Sequence, residues 1–345
     1  MSSTEHLTAR VASGFDEMVD IRRELHAHPE LSFQEVVTTA LIRARLQTLG
    51  LHEDPCPTDT GAVFSLVGGQ PGRTVLLRAD IDGLPVEEDT GLPFASRHEG
   101  RMHACGHDIH TAAMLGVASA LAAEAEDLPG RYVFIFQPAE ETVSGAQAMV
   151  DGGLLEGFDP SASVGFHVAS ALPTGLVASR PGLLMAAVRG LRVSVTGSGG
   201  HGALQPRIGN VVLAVSRFAD RLDSVVADLS SDGTDCICSP GLVKAGTAPN
   251  VVPTRAVLLG TLRFFDDDQL AEAGRRLDAL ADEVRAEFQV EVTIEHTYRT
   301  DAVKNDTEVT GTVLGVLRDV LGEDQVFESP SPVAASDDVS IFLNR

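Results

Sequence analysis

Lysine is scarce in this sequence of 345 residues, and its scarcity shapes the charge of the whole chain. Lysine occurs only at Lys244 and Lys304, so almost every basic residue is an arginine. Acidic residues outnumber basic ones so far that the formal net charge is −23. Sequence-independent binding of DNA or RNA needs a basic surface, so we expect no nucleic-acid partner.

Long apolar runs and cysteines are also few. No apolar run approaches the roughly 20 residues that a membrane-spanning helix needs. Residues 1–10 are polar and lack the charged-then-apolar order of a secretory signal, which predicts a cytoplasmic protein without a membrane partner. Four cysteines in such a chain do not indicate a disulfide framework. The length exceeds one typical core and favours two domains.

One stretch of eight residues, 103–110, concentrates three histidines, a cysteine and an aspartate. These side chains bind borderline-soft divalent metals such as zinc. The stretch lies between a strand-like run that ends at Asp82 and a helix-like run at 111–123. Open α/β sheets place their sites in loops at the carboxyl ends of strands. This position favours a metal site over the alternative, a histidine-rich surface loop.

The first half of the chain alternates strand-like and helix-like segments. Strand patterns occupy 62–67, 74–78, 131–137 and 162–166, and helical spacing occupies 15–28, 33–49, 111–123 and 144–150. This alternation predicts an α/β fold with a mostly parallel sheet.

From about residue 183 the pattern changes to the order β-α-β-β-α-β. Strands are predicted at 187–196, 236–245, 251–265 and 290–298, with helices at 208–229 and 269–288. This order predicts a ferredoxin-like α+β domain inserted into the first. The predicted division is therefore residues 1–182 with 298–345 for the metal-binding catalytic domain, and 183–297 for the insert.

Metal-ligand residue types follow the predicted strands of the first domain. Among the residues at these strand ends, Cys105, His107, His167 and one of the adjacent pair Glu140 and Glu141 provide a thiolate, two imidazoles and a carboxylate, which suit one metal or two that share a ligand. Adjacent Glu140 and Glu141 cannot point the same way on extended backbone, so one can bind the metal while its neighbour faces a metal-bound water. This is the arrangement of metal-assisted hydrolysis.

Asp82 follows the second predicted strand, and two interpretations of it stay open. It can orient a ligand histidine through the second ring nitrogen, or cap the following turn. In the inserted domain, His201 lies in the glycine-rich stretch 197–202 and can donate to a developing oxyanion, although it is also compatible with an incidental position in a turn. Asn250 and Arg263 flank a strand; an arginine there can bind a substrate carboxylate, and an ordinary surface position is the alternative.

Taken together, the motifs of the chain match a known pattern in order and spacing. They are RRELH at 22–26, HPELSF at 28–33, LRADIDGLP at 77–85, HACGHDIH at 103–110, FQPAEE at 136–141, GGHGA at 199–203, NVVP at 250–253 and GTLR at 260–263. This pattern resembles the N-acyl-amino-acid amidohydrolases, the hippurate-hydrolase and auxin-conjugate-hydrolase branch of the aminoacylase/carboxypeptidase-like metallohydrolases.

The resemblance implies a metal-dependent amidohydrolase that cleaves N-acyl amino acids. It implies up to two divalent metal ions per subunit (Zn, Mn, Co or Ni) and a lid domain, the insert, through which the chain forms a homodimer. Carried over by motif, the roles are metal ligands for Cys105, His107, Glu141 and His167, general base for Glu140, support for Asp82, oxyanion donor for His201 and substrate contacts for Asn250 and Arg263.

The sequence departs from the family pattern at its carboxyl end. Residues 336–340, SDDVS, loosely match a family motif that a further histidine ligand follows several dozen residues later. No histidine follows His296 here, so we expect a truncated carboxyl-terminal part. The alternative to an active enzyme is thus an impaired homologue that binds metal or ligand.

Overall fold

Two sheets of different construction organise the chain, whose computed structural model describes residues 3–203, 209–229 and 234–344. Residues 1–175 with 341–345 form one compact unit, and residues 176–340 form the other. No helix among the described residues combines the length and apolar character needed to cross a membrane.

The first unit is built on a five-stranded sheet with helices packed against it. Its elements are α1 (Ser3–Ser13), α2 (Phe15–Ala27), α3 (Val36–Thr48), β1 (His52–Asp54), β2 (Ala62–Val67), β3 (Gln70–Asp80), α4 (His107–Ala123), β4 (Pro129–Gln137), α5 (Gly145–Asp151) and β5 (Pro160–Gly165). The strand order is β1-β2-β4-β3-β5. Strand β3 pairs in parallel with β4 and β5, whereas β1 and β2 extend the sheet with antiparallel pairings.

Strand β4 is apolar because it lies inside this sheet. Residues 133–136 are fully buried, as expected for a strand covered on both faces. Phe134 and Phe136 belong to the same core as Ala112 and Leu115 of α4. Burying a side chain of this kind contributes about 1.5–3 kcal/mol, so the apolar run fixes β4 at this position.

The parallel register brings the ends of three strands to one edge. Asp80 at the end of β3 pairs with Gln137 at the end of β4, and Arg78 pairs with Gly165 at the end of β5. Residues that follow these strands must therefore emerge side by side. Helix α4 begins at the same edge, after Gly106 adopts a φ of 91°, which a glycine tolerates without strain.

The second unit contains the β-α-β-β-α-β order that the sequence predicts. Its elements are β6 (Val177–Ser179), β7 (Gly182–Met185), β8 (Ala187–Thr196), β9 (Gly200–His201), α6 (Val211–Arg221), β10 (Ile237–Ala245), β11 (Val251–Val252), β12 (Arg255–Phe264), α7 (Asp267–Phe288), β13 (Glu291–Thr300), β14 (Val303–Asn305), α8 (Thr307–Leu321) and β15 (Val326–Glu328). A last helix, α9, covers Ser340–Leu343. Strands β10-β12-β8-β13 form an antiparallel sheet in that order. Val193 and Val195 of β8 share a core with Phe218 of α6 and Leu277 of α7.

The predicted α/β class is confirmed, and two predicted segments need correction. The helix predicted over 208–229 ends at Arg221, and its predicted first residue lies outside the described residues. The strand predicted over 251–265 is divided into β11 and β12 by Pro253, which has no N–H to donate to a sheet.

Six short strands (β1, β6, β7, β9, β14 and β15) and helices α1 and α9 were not predicted. Strand β14 pairs with β7 and β15 pairs with β6, so residues 303–328 associate with residues 177–185. The division predicted from the sequence, 1–182 with 298–345 and 183–297, stays a prediction.

Buried and half-buried side chains alternate along β12, and two neighbouring leucines test this alternation. Leu258 is fully buried, whereas its neighbour Leu259 is half-buried on the other face of the sheet. We predict that Leu258→Ala lowers the free energy of unfolding by about 2–5 kcal/mol, as the loss of a buried leucine does. The control Leu259→Ala should lose less than half as much in urea unfolding. Equal losses would contradict the placement of the core.

Candidate metal site

The predicted ligand residues emerge at the edge where β3, β4 and β5 end. Cys105 lies in the loop before α4, His107 is the first residue of α4, and His167 follows β5 by two residues. Glu140 and Glu141 lie in the turn after β4. The fold thus brings together residues that are more than 60 positions apart in the sequence.

His107 has one ring nitrogen committed and one directed at acids. Its Nδ1 donates a hydrogen bond to the backbone carbonyl of Asp82 at 2.9 Å. Its Nε2 is buried and has no hydrogen-bond partner among the described residues. This nitrogen lies 3.6 Å from Asp80 Oδ2, 3.8 Å from Glu140 Oε2 and 3.9 Å from Glu141 Oε1. A ring fixed through Nδ1 with Nε2 facing acids is the usual geometry of a metal-ligating histidine.

Three of the four predicted ligands form one tight cluster. One donor atom each from Cys105, His107 and Glu141 lie within 4.8 Å of one another. The fourth, His167, places Nε2 3.5 Å from Cys105 Sγ while its Nδ1 donates to the carbonyl of Val168 at 2.6 Å. Oε1 of Glu141 is buried and, like His107 Nε2, has no hydrogen-bond partner among the described residues.

These donors fit a divalent metal. Two buried atoms that need a partner lie close to a thiol, and a second imidazole lies 3.5 Å from the thiol sulfur. Thiolate, imidazole and carboxylate together suit zinc and its neighbours in the first transition row. One donor atom each from Asp80, His107, His110 and His167 also lie within 4.8 Å of one another.

His110 is committed to other partners. Its Nδ1 donates to Asp80 Oδ1 at 2.5 Å, and its Nε2 accepts from the backbone N–H of Val168 at 3.0 Å. Because both ring nitrogens are used, His110 offers no lone pair to a metal. Asp80 also accepts from Arg78 Nη1 at 2.8 Å, and both side chains are buried. The sequence showed Asp80 only as part of a motif; its pairing with Arg78 and His110 carries no sequence signal.

Asp82 organises the turn after β4. Its Oδ1 accepts the backbone N–H of Glu140, and its Oδ2 accepts that of Glu141, both at 3.1 Å. Ser32 Oγ donates to the same Oδ2 at 2.7 Å. His107 Nδ1 lies 2.9 Å from the backbone carbonyl oxygen of Asp82 and 3.3 Å from its carboxylate. The predicted orientation of the ligand histidine therefore comes mainly from the carbonyl. Nothing in the sequence indicated Ser32.

The two adjacent glutamates do not follow the expectation for extended backbone. Strand β4 ends at Gln137, and Ala139 has a φ of 55° with Val143 N–H donating to the carbonyl of Glu140 at 2.7 Å. Because this is a turn, both carboxylates approach the same nitrogen of His107. The prediction that they point in opposite directions is wrong for that reason.

Burial and neighbouring charges shift the pKa values of the clustered residues. Burial raises the pKa of Glu141 to about 7 and also raises the pKa of the Cys105 thiol. Burial opposes protonation of His107, but the carboxylates of Asp80 and Asp82 raise its pKa well above its usual range. Ligand groups that retain protons near neutral pH release them when a metal binds, so metal affinity here should rise with pH.

His103 does not join the ligand cluster. Burial lowers its pKa to about 4, and neither ring nitrogen has a hydrogen-bond partner among the described residues. Of the three histidines in the stretch 103–110, His107 is thus the one whose free ring nitrogen faces the acidic cluster.

The predicted residues of the inserted domain lie in the second unit. His201 is exposed in β9, pairs with Val251 of β11, and accepts from Ala203 N–H through Nδ1 at 3.2 Å. Gly202 N–H donates to the carbonyl of Asn250, so His201 and Asn250 share one two-stranded element. Arg263 in β12 donates to the carbonyl of Ala334 at 3.1 Å and to Ser336 Oγ at 2.9 Å.

A sheet edge that gathers thiol, imidazole and carboxylate donors beside another carboxylate is the arrangement of a metal-dependent hydrolase. The profile of the peptidase family M20/M25/M40 matches residues 76–345 of this chain. The N-acetyl-L-cysteine deacetylase of Bacillus subtilis is 36% identical over 331 residues, covering 95% of this chain and 78% of that protein. The N-acetyldiaminopimelate deacetylase of Priestia megaterium is 36% identical over 296 residues, covering 86% of this chain and 78% of that protein.

Among solved structures, the chain is similar to the YXEP protein of Bacillus subtilis, a dinuclear metal-binding peptidase from the M20 family. The TM-score is 0.77 at 30% identity, covering 97% of this chain and 87% of that one. The chain belongs to the peptidase family M20/M25/M40. The predicted metal-dependent hydrolase acting on amides is confirmed at the level of the family. The hippurate-hydrolase branch, the truncation and the residue roles stay predictions.

A buried ionic network anchors the start of α4. His26 of α2 donates through Nδ1 to Asp108 Oδ2 at 2.8 Å, and its Nε2 lies 3.2 Å from Glu88 Oε1. Arg22 forms an ion pair with Asp108, with Nε and Oδ2 2.7 Å apart. The hydrogen bond to Asp108 raises the pKa of His26 although burial opposes it. Asp108 directly follows His107, so this network anchors the first turn of α4, which carries the predicted ligand His107.

The network predicts a pH-dependent stability. Because the pKa of His26 is higher in the folded chain, its protonated form stabilises the fold; this contribution is complete below its unfolded pKa of about 6.5 and is lost as the pH rises through the raised value. We predict that the urea midpoint falls as the pH rises from about 6.5 through the raised pKa of His26, and falls less in His26→Gln. His28→Gln is the control and should keep the wild-type dependence. An unchanged pH dependence in His26→Gln would contradict the assignment.

Proposed function

We propose that this chain hydrolyses the amide bond of small N-acyl amino acids. The observation that carries the proposal is the buried Nε2 of His107, which lacks a hydrogen-bond partner among the described residues and lies beside Cys105, Glu140 and Glu141. The names of the relatives support the substrate class, because N-acetyl-L-cysteine and N-acetyldiaminopimelate are both N-acyl amino acids.

Cys105, His107, Glu141 and His167 would hold the metal, with up to two ions of Zn, Mn, Co or Ni per subunit. When bound, such an ion acts as a Lewis acid and makes water a nucleophile near neutral pH. The chain contributes the orientation of its donors: the carbonyl of Asp82 fixes the ring of His107, and that of Val168 fixes the ring of His167.

Glu140 is the general base of the proposed reaction. Its side chain is buried, and its Oε2 lies 3.8 Å from His107 Nε2, beside the donors and not among the three clustered ligands. The carboxylate accepts the proton of the attacking water and returns it to the nitrogen of the departing amino acid. The carboxylate of Asp82 accepts the backbone N–H of Glu140 and so keeps Glu140 in place.

The remaining roles rest on the family resemblance. His201 donates to the oxyanion, and Asn250 and Arg263 contact the substrate. A homodimer would form through the lid domain, where β10 lies at the edge of its sheet and exposes Leu242 and Val243. The enzyme would act in the cytoplasm.

The proposal is tested with one pair of isosteric variants. We predict that Glu140→Gln lowers kcat on a panel of N-acyl amino acids by about 100-fold or more, since general-base catalysis contributes about 10²–10⁴-fold. The variant should keep the wild-type metal content, measured by inductively coupled plasma mass spectrometry. The neighbouring Glu141→Gln should instead lose metal, because it removes a ligand.

Two outcomes would contradict the proposal. If Glu140→Gln retains activity, another group is the base. If folded, fully metallated wild-type protein leaves the whole panel uncleaved, the chain is instead a homologue that binds metal or acyl-amino acids without turnover.

A further inference from the structure

The turn that carries Glu140 and Glu141 has an unusual backbone. Ala139 has a φ of 55° and is fully buried, and Val143 has a φ of 53°. Residues with a Cβ rarely occupy this left-handed region, so neighbouring contacts must hold them there. The turn is also crowded, because a Cβ on Gly145 would lie 1.6 Å from the carbonyl oxygen of Pro138.

The contact that holds Ala139 comes from a distant part of the chain. Glu35, which precedes α3, is fully buried, and its Oε1 accepts the backbone N–H of Ala139 at 2.9 Å. The same oxygen accepts from Phe33 N–H at 3.0 Å, and Oε2 accepts from Thr60 Oγ1 at 2.6 Å. Three donors converge on one carboxylate, which fixes its position firmly.

Three successive backbone N–H groups thus donate hydrogen bonds to carboxylates. Ala139 donates to Glu35, while Glu140 and Glu141 donate to Asp82. Glu35 and Asp82 are themselves linked through the segment between Glu30 and Glu35, because Gly83 N–H donates to the carbonyl of Glu30 at 2.7 Å. The peptide between Pro138 and Ala139 is held from the side of α3, and the two peptides on either side of the proposed base are held from the side of β3.

We propose that Glu35 is a positioning residue for the reaction, holding Ala139 in its left-handed conformation so that the Glu140 carboxylate stays beside His107. The inference rests on the proposed function, since Glu140 is a general base only there. Without an acceptor at position 35, Ala139 relaxes toward an ordinary backbone conformation and the Glu140 side chain moves away. A misplacement of about 1 Å far from the chemistry can cost about 100-fold in rate.

The experiment compares Glu35→Ala, Glu35→Gln and a structural control at saturating metal. Glu35→Ala should lower kcat about 100-fold with KM within about threefold of wild type. Glu35→Gln should recover most of kcat, because its amide oxygen still accepts from Ala139. Glu35→Asp, too short to reach, should behave like Glu35→Ala and carries the comparison if the alanine variant does not fold.

The control is Glu30→Ala. Glu30 also accepts two backbone N–H groups, those of Val37 at 3.1 Å and Thr38 at 2.8 Å, but these lie in the first turn of α3. This variant should lower the melting temperature and leave kcat unchanged. Equal losses of kcat in Glu30→Ala and Glu35→Ala would reduce Glu35 to a structural role and overturn the inference.

Crystal structures of the variants give a result that does not depend on activity. Glu35→Ala should show Ala139 outside the left-handed region and a longer distance from Glu140 to His107, and Glu35→Gln should show neither. An unchanged turn in Glu35→Ala overturns the inference even if the wild type cleaves no substrate. If the wild-type protein is inactive but the turn is displaced in Glu35→Ala, the proposed function is refuted and the structural role of Glu35 is not.

Discussion

The hydrogen bond from His107 Nδ1 to the backbone carbonyl of Asp82 is the interaction on which the proposed metal site depends. It decides which ring nitrogen carries the hydrogen and directs Nε2 toward the carboxylates. Because the acceptor is a main-chain atom, its position follows from the path of the chain after β3. The β3–β4 register pairs Asp80 with Gln137, so the same register that positions Asp82 also positions Glu140 and Glu141.

The negative charge of the carboxylates around His107 explains why we expect a cation to bind there. Asp80, Asp82 and Glu140 are buried, and burying carboxylates is costly unless they are paired. Arg78 forms an ion pair with Asp80, and backbone N–H groups satisfy Asp82, but Glu141 holds its proton to about pH 7 because of burial. A divalent ion would neutralise this excess, and its binding to the folded chain would add to stability.

The sequence predicted the place of the site better than its internal contacts. Cys105, His107, Glu140, Glu141 and His167 could be assigned to one edge because apolar runs mark strands, and parallel strands end together. The turn at Ala139 could not be predicted, because its conformation depends on Glu35, 104 residues away. Strands β6, β14 and β15 have three residues each, too few for a periodic signal.

The coordination of the metal tests the central claim most directly. X-ray absorption at the zinc edge of the zinc-loaded protein should show a sulfur neighbour at about 2.3 Å together with nitrogen or oxygen neighbours at about 2.0–2.2 Å. In Cys105→Ser the sulfur neighbour should disappear. A shell without sulfur in the wild type, or one that keeps its sulfur in Cys105→Ser, would contradict a metal site built on Cys105 and His107.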